Sequence, residues 1–338
     1  MLNLDPRYYY DPAIFARERN ELFARTWQLL GPVTQVKERG EYVAVEIAGL
    51  KVFAMRGRDG KIRAFRNMCR HRGARLLEEG TGRCPTIRCP YHQWVWDDTG
   101  GLKAVPWFGE DADFKLEDWR LDEIHAQEWR GLLFVAIDPA STLETQLADV
   151  IAEIAEEPVE SYKPVHCERM SFDANWKIYT DNFVEGYHIP GIHPQFFAAI
   201  NFEEFRTTAH KGLIRMTAPP RDGLFYRGKW LWMWPNWTLS LFEGGMNTSR
   251  INPIDENHTE LIYHFYFADT SDATREARAD TISRNLAVVR EDFGICLETH
   301  KNYASGAYSP GPLSPRHEAG VAYFQDRFRD VLNLPADR

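Results

Sequence analysis

The stretches Asn67-Met68-Cys69-Arg70-His71-Arg72-Gly73-Ala74 and Arg88-Cys89-Pro90-Tyr91-His92-Gln93-Trp94 decide how the first half of this chain is read. Each carries one cysteine and one histidine, as C-x-H and then C-x-x-H, with 17 residues between His71 and Cys89. Each motif projects two donors from one tight turn, and Gly73 and Pro90 stand where such turns need special backbone angles. Two such loops brought tip to tip could hold a [2Fe–2S] unit. The thiolates of Cys69 and Cys89 would take one iron, and the imidazoles of His71 and His92 the other. A tetrahedral zinc accepts the same four donors. Zinc fingers, however, usually segregate cysteines from histidines, whereas each loop here supplies one of each.

Outward from these loops, residues 28–138 consist of short β-like runs such as Tyr42-Val43-Ala44-Val45-Glu46-Ile47 and Lys51-Val52-Phe53-Ala54-Met55. Turns rich in Gly, Asp and Arg separate them, and Gly131-Leu132-Leu133-Phe134-Val135-Ala136-Ile137 reads as the closing strand. Residues 11–27 predict an amphipathic helix with Phe15, Leu22, Phe23 and Trp27 on one face. Residues 143–157, 175–187 and 273–302 are helical in pattern, and 229–242 and 261–267 are strand-like. The expected class is α+β, with an all-β domain over 28–140 and a second domain built from 1–27 and 141–338.

A second constellation lies in Asn182-Phe183-Val184-Glu185-Gly186-Tyr187-His188-Ile189-Pro190-Gly191-Ile192-His193. On one helix running from 175 to 188, Glu185 and His188 would share a face, three residues apart. Pro190-Gly191 would break that helix and let His193 swing back towards His188. Iron that activates dioxygen favours two histidines and one carboxylate with open positions, so a carboxylate must come from elsewhere.

The two cysteine–histidine loops resemble the signature of Rieske [2Fe–2S] domains, in the form found in terminal oxygenases of the ring-hydroxylating family. The resemblance spans nearly the whole chain. It implies a Rieske domain followed by a helix-grip-like catalytic domain of antiparallel sheet and helices, with a Rieske cluster and a mononuclear Fe(II) as cofactors. The stretch 291–324 resembles the family's C-terminal region and implies Asp292 as the third ligand beside His188 and His193, with Glu291 as runner-up. Glu185 stands where the family places an acidic bridge between a Rieske histidine of one subunit and a mononuclear-site histidine of the next. Most members carry Asp there. Glu is the variant of relatives resembling choline, betaine and carnitine monooxygenases. Asp181 is a weaker candidate for the bridge, and Asn182 is a further candidate catalytic residue. Members most often carry Gly where this chain has Gln93. Cys84 has no partner cysteine in the opposite loop, so it reads as a buried thiol and not as half of a disulfide clamp.

The resemblance further implies a homotrimer, in which a neighbour's cluster serves each mononuclear iron. The chain has no G-x-G-x-x-G after a strand and no recognisable flavin pocket, so NAD(P)H would act only indirectly, through a separate flavin/iron–sulfur reductase. The expected activity is O2-dependent hydroxylation of an aromatic compound, or of the N-methyl group of a quaternary amine with loss of that methyl. The reading from a different class is a Rieske-type electron carrier or a zinc-stabilised protein without oxygenase activity.

The composition agrees with an ordinary globular enzyme, 44% apolar and 26% charged over 338 residues. A net charge of −9 gives no general attraction to nucleic acid or anionic membranes. Neither a signal peptide nor a bilayer-length apolar run is seen, so the expected compartment is the cytoplasm. Five cysteines, an odd number, argue against a disulfide framework. Eleven tryptophans include Trp230, Trp232, Trp234 and Trp237, candidate residues of the substrate pocket. Trp230, Trp232 and Trp234 alternate and would share one strand face. That face could box a quaternary ammonium, hold a flat aromatic substrate, or simply pack against the C-terminal helix.

Overall fold

The computed structural model describes residues 2–221 and 226–335. It divides into two compact units, Ala24–Ser141 and Met1–Phe23 with Thr142–Arg338. No helix among the described residues is long and apolar enough to cross a membrane.

The smaller unit is built of strands β1 (Gln28–Pro32), β2 (Glu41–Ile47), β3 (Leu50–Arg56), β4 (Ile62–Arg66), β5 (Gly80–Arg83), β6 (Ile87–Arg88), β7 (Val95–Trp96), β8 (Leu102–Ala104), β9 (Glu123–Trp129) and β10 (Leu132–Ala136). One antiparallel sheet runs β1-β10-β9-β4-β3-β2-β5, and β6-β7-β8 form a second. The expected closing strand is β10, which pairs with both β1 and β9 and is buried at every position. The two cysteine–histidine loops join β4 to β5 and β6 to β7.

The larger unit contains helices α1 (Arg7–Tyr10), α2 (Pro12–Arg17), α3 (Leu143–Gln146), α4 (Ala148–Glu153), α5 (Trp176–Phe183), α6 (Ile189–Ile192), α7 (Pro194–Ala199), α8 (Arg275–Ala304) and α9 (Ala319–Val331). Its strands are β11 (Lys163–Phe172), β12 (Arg206–His210), β13 (Leu213–Thr217), β14 (Lys229–Met233), β15 (Trp237–Phe242), β16 (Gly245–Pro253) and β17 (Thr259–Phe267). They form an antiparallel sheet in the order β11-β17-β16-β15-β14-β13-β12. The 30-residue α8 lies on this sheet, as the Asn247–Asn285 hydrogen bond and the Phe172–Phe293 ring stack show. Its buried residues Asn285, Leu286, Val289, Asp292, Cys296, His300 and Tyr303 recur at helical spacing, which puts Asp292 on the inner stripe.

Three local expectations change. The N-terminal helix starts at Pro12, capped by the Asp11 carboxylate, then widens into a π-helical turn over Glu18–Leu22 and a 3-10 turn over Phe23–Arg25. Phe15, Leu22, Phe23 and Trp27 are all buried, but Trp27 lies beyond the helical turns. The buried Glu18 carboxylate explains the widened turn, since it accepts hydrogen bonds from Lys177 Nζ and, at 2.7 Å, from Trp176 Nε1 of α5. The helix expected to reach His188 ends at Phe183, with Val184 as its cap. Beyond it the Glu185 carboxylate turns to accept the backbone N–H groups of Tyr187 and His188, which replaces helical bonding with a side-chain-held turn. Finally, Pro190-Gly191 does not break a helix. Pro190 sits in the first turn of α6, where its missing N–H is no loss. The chain changes direction at His193 (φ −118°, ψ 69°), because Pro194 disfavours the helical conformation in the residue before it.

The turn carrying Glu185 depends on one close approach. A Cβ on Gly320 of α9 would lie 2.1 Å from the Val184 carbonyl oxygen, a distance that forces backbone to move. Gly320→Ala should therefore destabilise the larger unit by about 1–3 kcal/mol, read as a lower urea midpoint. An unchanged midpoint would show that α9 does not hold Val184 in place.

Candidate active site

In the smaller unit both metal-binding loops adopt one backbone design. Cys69 N–H donates to the Ala74 carbonyl at 2.8 Å and Gly73 N–H to that of Cys69 at 3.0 Å. In the other loop Cys89 N–H donates to Trp94 at 2.8 Å and Gln93 N–H to Cys89 at 3.1 Å. The residue four after each cysteine is left-handed, Gly73 at φ 73° and Gln93 at φ 62°. The special position in the second loop is thus Gln93 and not Pro90, whose ring holds φ negative. This explains why glycine suits that place, and a side chain there costs about 1–2 kcal/mol of local strain.

The loops bring the four candidate residues together as two pairs. His71 Nδ1 and His92 Nδ1 lie 3.1 Å apart, and His71 stacks on Trp94 at 4.6 Å. Cys69 and Cys89 are each 1% exposed, and both histidines are only partly buried, so the thiolate end lies inside and the imidazole end reaches the surface. Burial pushes the Cys69 thiol up and neighbouring Cys89 adds to this, while the His71 backbone N–H and the Trp96 indole N–H draw it down. The Trp96 Nε1–H is buried with no well-formed hydrogen-bond partner, a donor aimed at sulfur that suits a cluster.

Zinc does not fit this pattern. Four tetrahedral donors around one zinc would sit about 3.3–3.8 Å from one another. Among the described residues the donor atoms that gather in threes within 4.8 Å belong to His188, His193 and Asp292, and no three of the cluster residues do so. Two pairs set apart match two irons. All five cysteines are free, and Cys84 Sγ lies 3.0 Å from the Thr86 carbonyl.

In the larger unit His188 Nε2 lies 3.1 Å from His193 Nε2, and Asp292 Oδ1 lies 2.9 Å from His193 Nε2 and 3.8 Å from His188 Nε2. The opposite ring nitrogens are held by carboxylates. His188 Nδ1 meets Glu185, and His193 Nδ1 lies 2.7 Å from Glu291 Oε2. A carboxylate at Nδ1 keeps the proton there and turns the Nε2 lone pair towards the shared point. Burial lowers the His193 imidazole pKa, but Asp292 and Glu291 outweigh it and leave it raised, so the point favours positive charge. Asp292 Oδ1 is buried without a hydrogen bond of good geometry, a lone pair awaiting a partner. These donors fit a divalent iron.

Two alternatives fall away. Glu291 orients His193 from outside the trio, with a side chain 37% exposed, and no regularity in the sequence marks that role. Asp181 faces elsewhere, accepting from Tyr9 at 2.5 Å and Gln325 at 3.2 Å, and burial pushes its carboxyl up to about 7 against those bonds.

The trio opens on a cavity of about 620 Å³, its mouth included, that Asn182 and Glu185 also line. Its floor is one cross-strand row, Met216 of β13, Trp230 of β14, Ser240 of β15 and Asn247 of β16, each paired with the next. Paired residues point to the same face of a sheet. Phe196, Phe205 and Tyr226 add aromatic wall. Of the four tryptophans expected here only Trp230 lines the cavity. Trp232 and Trp234 pack on Phe324 of α9 at 5.5 and 6.3 Å, and Trp237 is buried in the sheet. The helix covers one end of the tryptophan face and leaves the other open. Phe196 was legible only as the neighbour of His193 one helical turn on.

Residues 26–117 match the family model described as Rieske [2Fe-2S] domain. Residues 159–222 and 216–334 match the one described as ring hydroxylating alpha subunit, catalytic domain. The carnitine monooxygenase oxygenase subunit of Escherichia coli K12 is 28% identical over 96% of this chain and 92% of its own length. The chloroplastic choline monooxygenase of Amaranthus tricolor is 25% identical over 96% and 77%. A solved quaternary ammonium Rieske monooxygenase superposes with a TM-score of 0.88 at 23% identity, covering 98% of this chain and 95% of that one, which shows a shared fold.

The Glu291–His193 contact is open to test. Glu291→Leu should weaken Fe(II) binding at the larger unit's site about 10–100-fold in titrations of iron-free protein. Unchanged affinity would mean that Glu291 does not orient the ring.

Proposed function

The chain belongs to the ring-hydroxylating alpha-subunit family of Rieske non-heme iron oxygenases, and on that premise we propose how its residues divide the work. Cys69, His71, Cys89 and His92 hold the [2Fe–2S] cluster, and His188, His193 and Asp292 hold the mononuclear iron. When bound, the cluster relays single electrons and the mononuclear iron activates dioxygen for hydroxylation of a small organic substrate. The observation that carries the ligand assignment is the convergence of two Nε2 atoms and one buried carboxylate oxygen on a single point.

Glu185 and Glu291 meet the Nδ1 atoms and so aim both Nε2 atoms at the shared point. The aromatic and aliphatic walls exclude water from the reacting carbon. Asn182 lines the same cavity, and its Nδ2 is buried without a partner, leaving a neutral donor for a bound molecule. Substrates of two kinds suit this family's chemistry, an aromatic ring and an N-methyl group. Hydroxylation of an N-methyl carbon gives a carbinolamine, which expels formaldehyde and leaves the demethylated amine.

Electrons reach the cluster from NAD(P)H through a separate flavin/iron–sulfur reductase, whose flavin splits the hydride into single electrons. The working unit is a homotrimer, in which Glu185 links His188 to a cluster histidine of the adjoining subunit. Support for this role is the contact of Glu185 with His188 Nδ1, the side of the ring turned away from the metal point.

Glu185→Gln keeps an acceptor for the Nδ1 proton and removes the charge. Both metal sites should stay loaded while reductase-coupled turnover falls about 10–100-fold. Product formation driven by hydrogen peroxide, which supplies oxygen and both oxidising equivalents itself, should persist. Coupled turnover near the parent level would show that Glu185 is not the conduit.

A further inference from the structure

Trp96 is fully buried in the core of the smaller unit, together with Cys69, Cys89, Trp94, Phe53 and Phe65. Its backbone is fixed from both sides. The strand β7 is the middle one of its sheet, and Trp96 pairs with Ile87 of β6 and with Leu102 of β8. A buried indole N–H ordinarily finds an oxygen or nitrogen acceptor. That of Trp96 has none in good geometry among the described residues. What it meets is the Cys69 sulfur, which belongs to the other loop. The strand that leaves the second metal-binding loop thus delivers a donor to the cysteine of the first.

A neutral thiol gains little from such a donor, whereas a metal-bound thiolate carries charge and gains more. Adding one electron to the cluster adds negative charge, part of which the ligand sulfurs share. A donor at Cys69 therefore favours the reduced state. Burial of the thiolate end acts the other way, because a buried site resists added charge. The cationic side chains nearby are poorly placed to offset that. Arg70 is exposed and paired with Asp122 at 2.5 Å, and the exposed Arg72 lies over the Tyr91 ring at 5.6 Å, so solvent and salt screen both. The Trp96 N–H sits where little water screens it, and there one hydrogen bond counts for more. Trp94 acts at the opposite end, lying flat on the His71 ring at 4.6 Å with the planes 8° apart.

We infer that Trp96 sets the reduction potential of the cluster, its indole N–H donating to the Cys69 thiolate and raising the potential above what the buried thiolate end alone would give. This rests on the reading of Cys69, His71, Cys89 and His92 as the cluster's ligands. Trp96 itself binds no iron. It governs how readily the cluster accepts an electron from the reductase, and how strongly it then holds that electron against transfer onward.

Anaerobic spectroelectrochemical titration of the full-length, cluster-loaded protein at fixed pH and ionic strength tests this without substrate or reductase. Trp96→Phe keeps a buried ring and removes the N–H. Its cluster should be about three- to tenfold harder to reduce, a fall of about 30–60 mV for one electron. Phe53→Leu loosens the same core without removing a donor, and its potential should match the parent's. A Trp96→Phe potential equal to the parent's would overturn the inference, as would an equal fall in Phe53→Leu. A second measurement leaves Trp96 in place. In Trp94→Phe protein with nitrogen-15 at the indole nitrogens, pulsed electron paramagnetic resonance of the reduced cluster should show coupling to one such nitrogen. Absence of that coupling would overturn the inference even if Trp96→Phe failed to hold its cluster. A parent protein with no rhombic signal on reduction would instead remove the cluster assignment, and this inference with it.

Discussion

In the larger unit a carboxylate grips each of two histidines by its Nδ1 atom, Glu185 on His188 and Glu291 on His193. That grip decides the rest of the site. An imidazole can rotate and exchange tautomers, and two free histidines five residues apart would seldom aim the same nitrogen at the same point. With both Nδ1 positions occupied, both Nε2 atoms face inward and meet Asp292 from the buried stripe of α8. The sheet adds a floor of cross-strand residues, and the space between floor and trio becomes the place where a substrate carbon can lie beside the metal.

The same principle, donors aimed by the backbone and by neighbours, shapes the smaller unit. Two near-identical loops each put a cysteine inside and a histidine towards the surface, so the pairs separate by element type. One zinc would draw all four donors together, whereas a two-iron cluster needs the pairs apart. In the proposed reading the exposed imidazole edge is the exit for an electron, and the thiolate edge is buried.

Much of this was legible in the amino-acid sequence, and what was not has physical causes. Cys69, His71, Cys89 and His92 declare themselves by spacing, because a metal cluster tolerates few alternatives in loop geometry. His188 and His193 were visible for a similar reason, yet the local structure between them was misread. Periodicity cannot show that Glu185 will abandon the helix to bind backbone N–H groups, nor that Pro190 opens a helical turn while Pro194 makes the bend. Asp292 rested on resemblance, although its place on the 285–303 buried stripe is itself periodic. The grip of Glu291 on His193 and the aromatic wall from Phe205 depend on tertiary approach and leave no mark at short range. The tryptophan run pointed to the right strand, but α9 covers Trp232 and Trp234 and leaves only Trp230 at the cavity.

The proposed function requires one chain to carry two different iron sites, and metal content joined to electron paramagnetic resonance tests that most directly. Protein purified without chelators should hold about three irons per chain, two in the cluster and one mononuclear, with no zinc, and should give a rhombic signal on reduction. His193→Ala should lose one iron and keep that signal. Zinc in place of the cluster iron, or a parent protein and a His193→Ala variant with equal iron, would contradict the account.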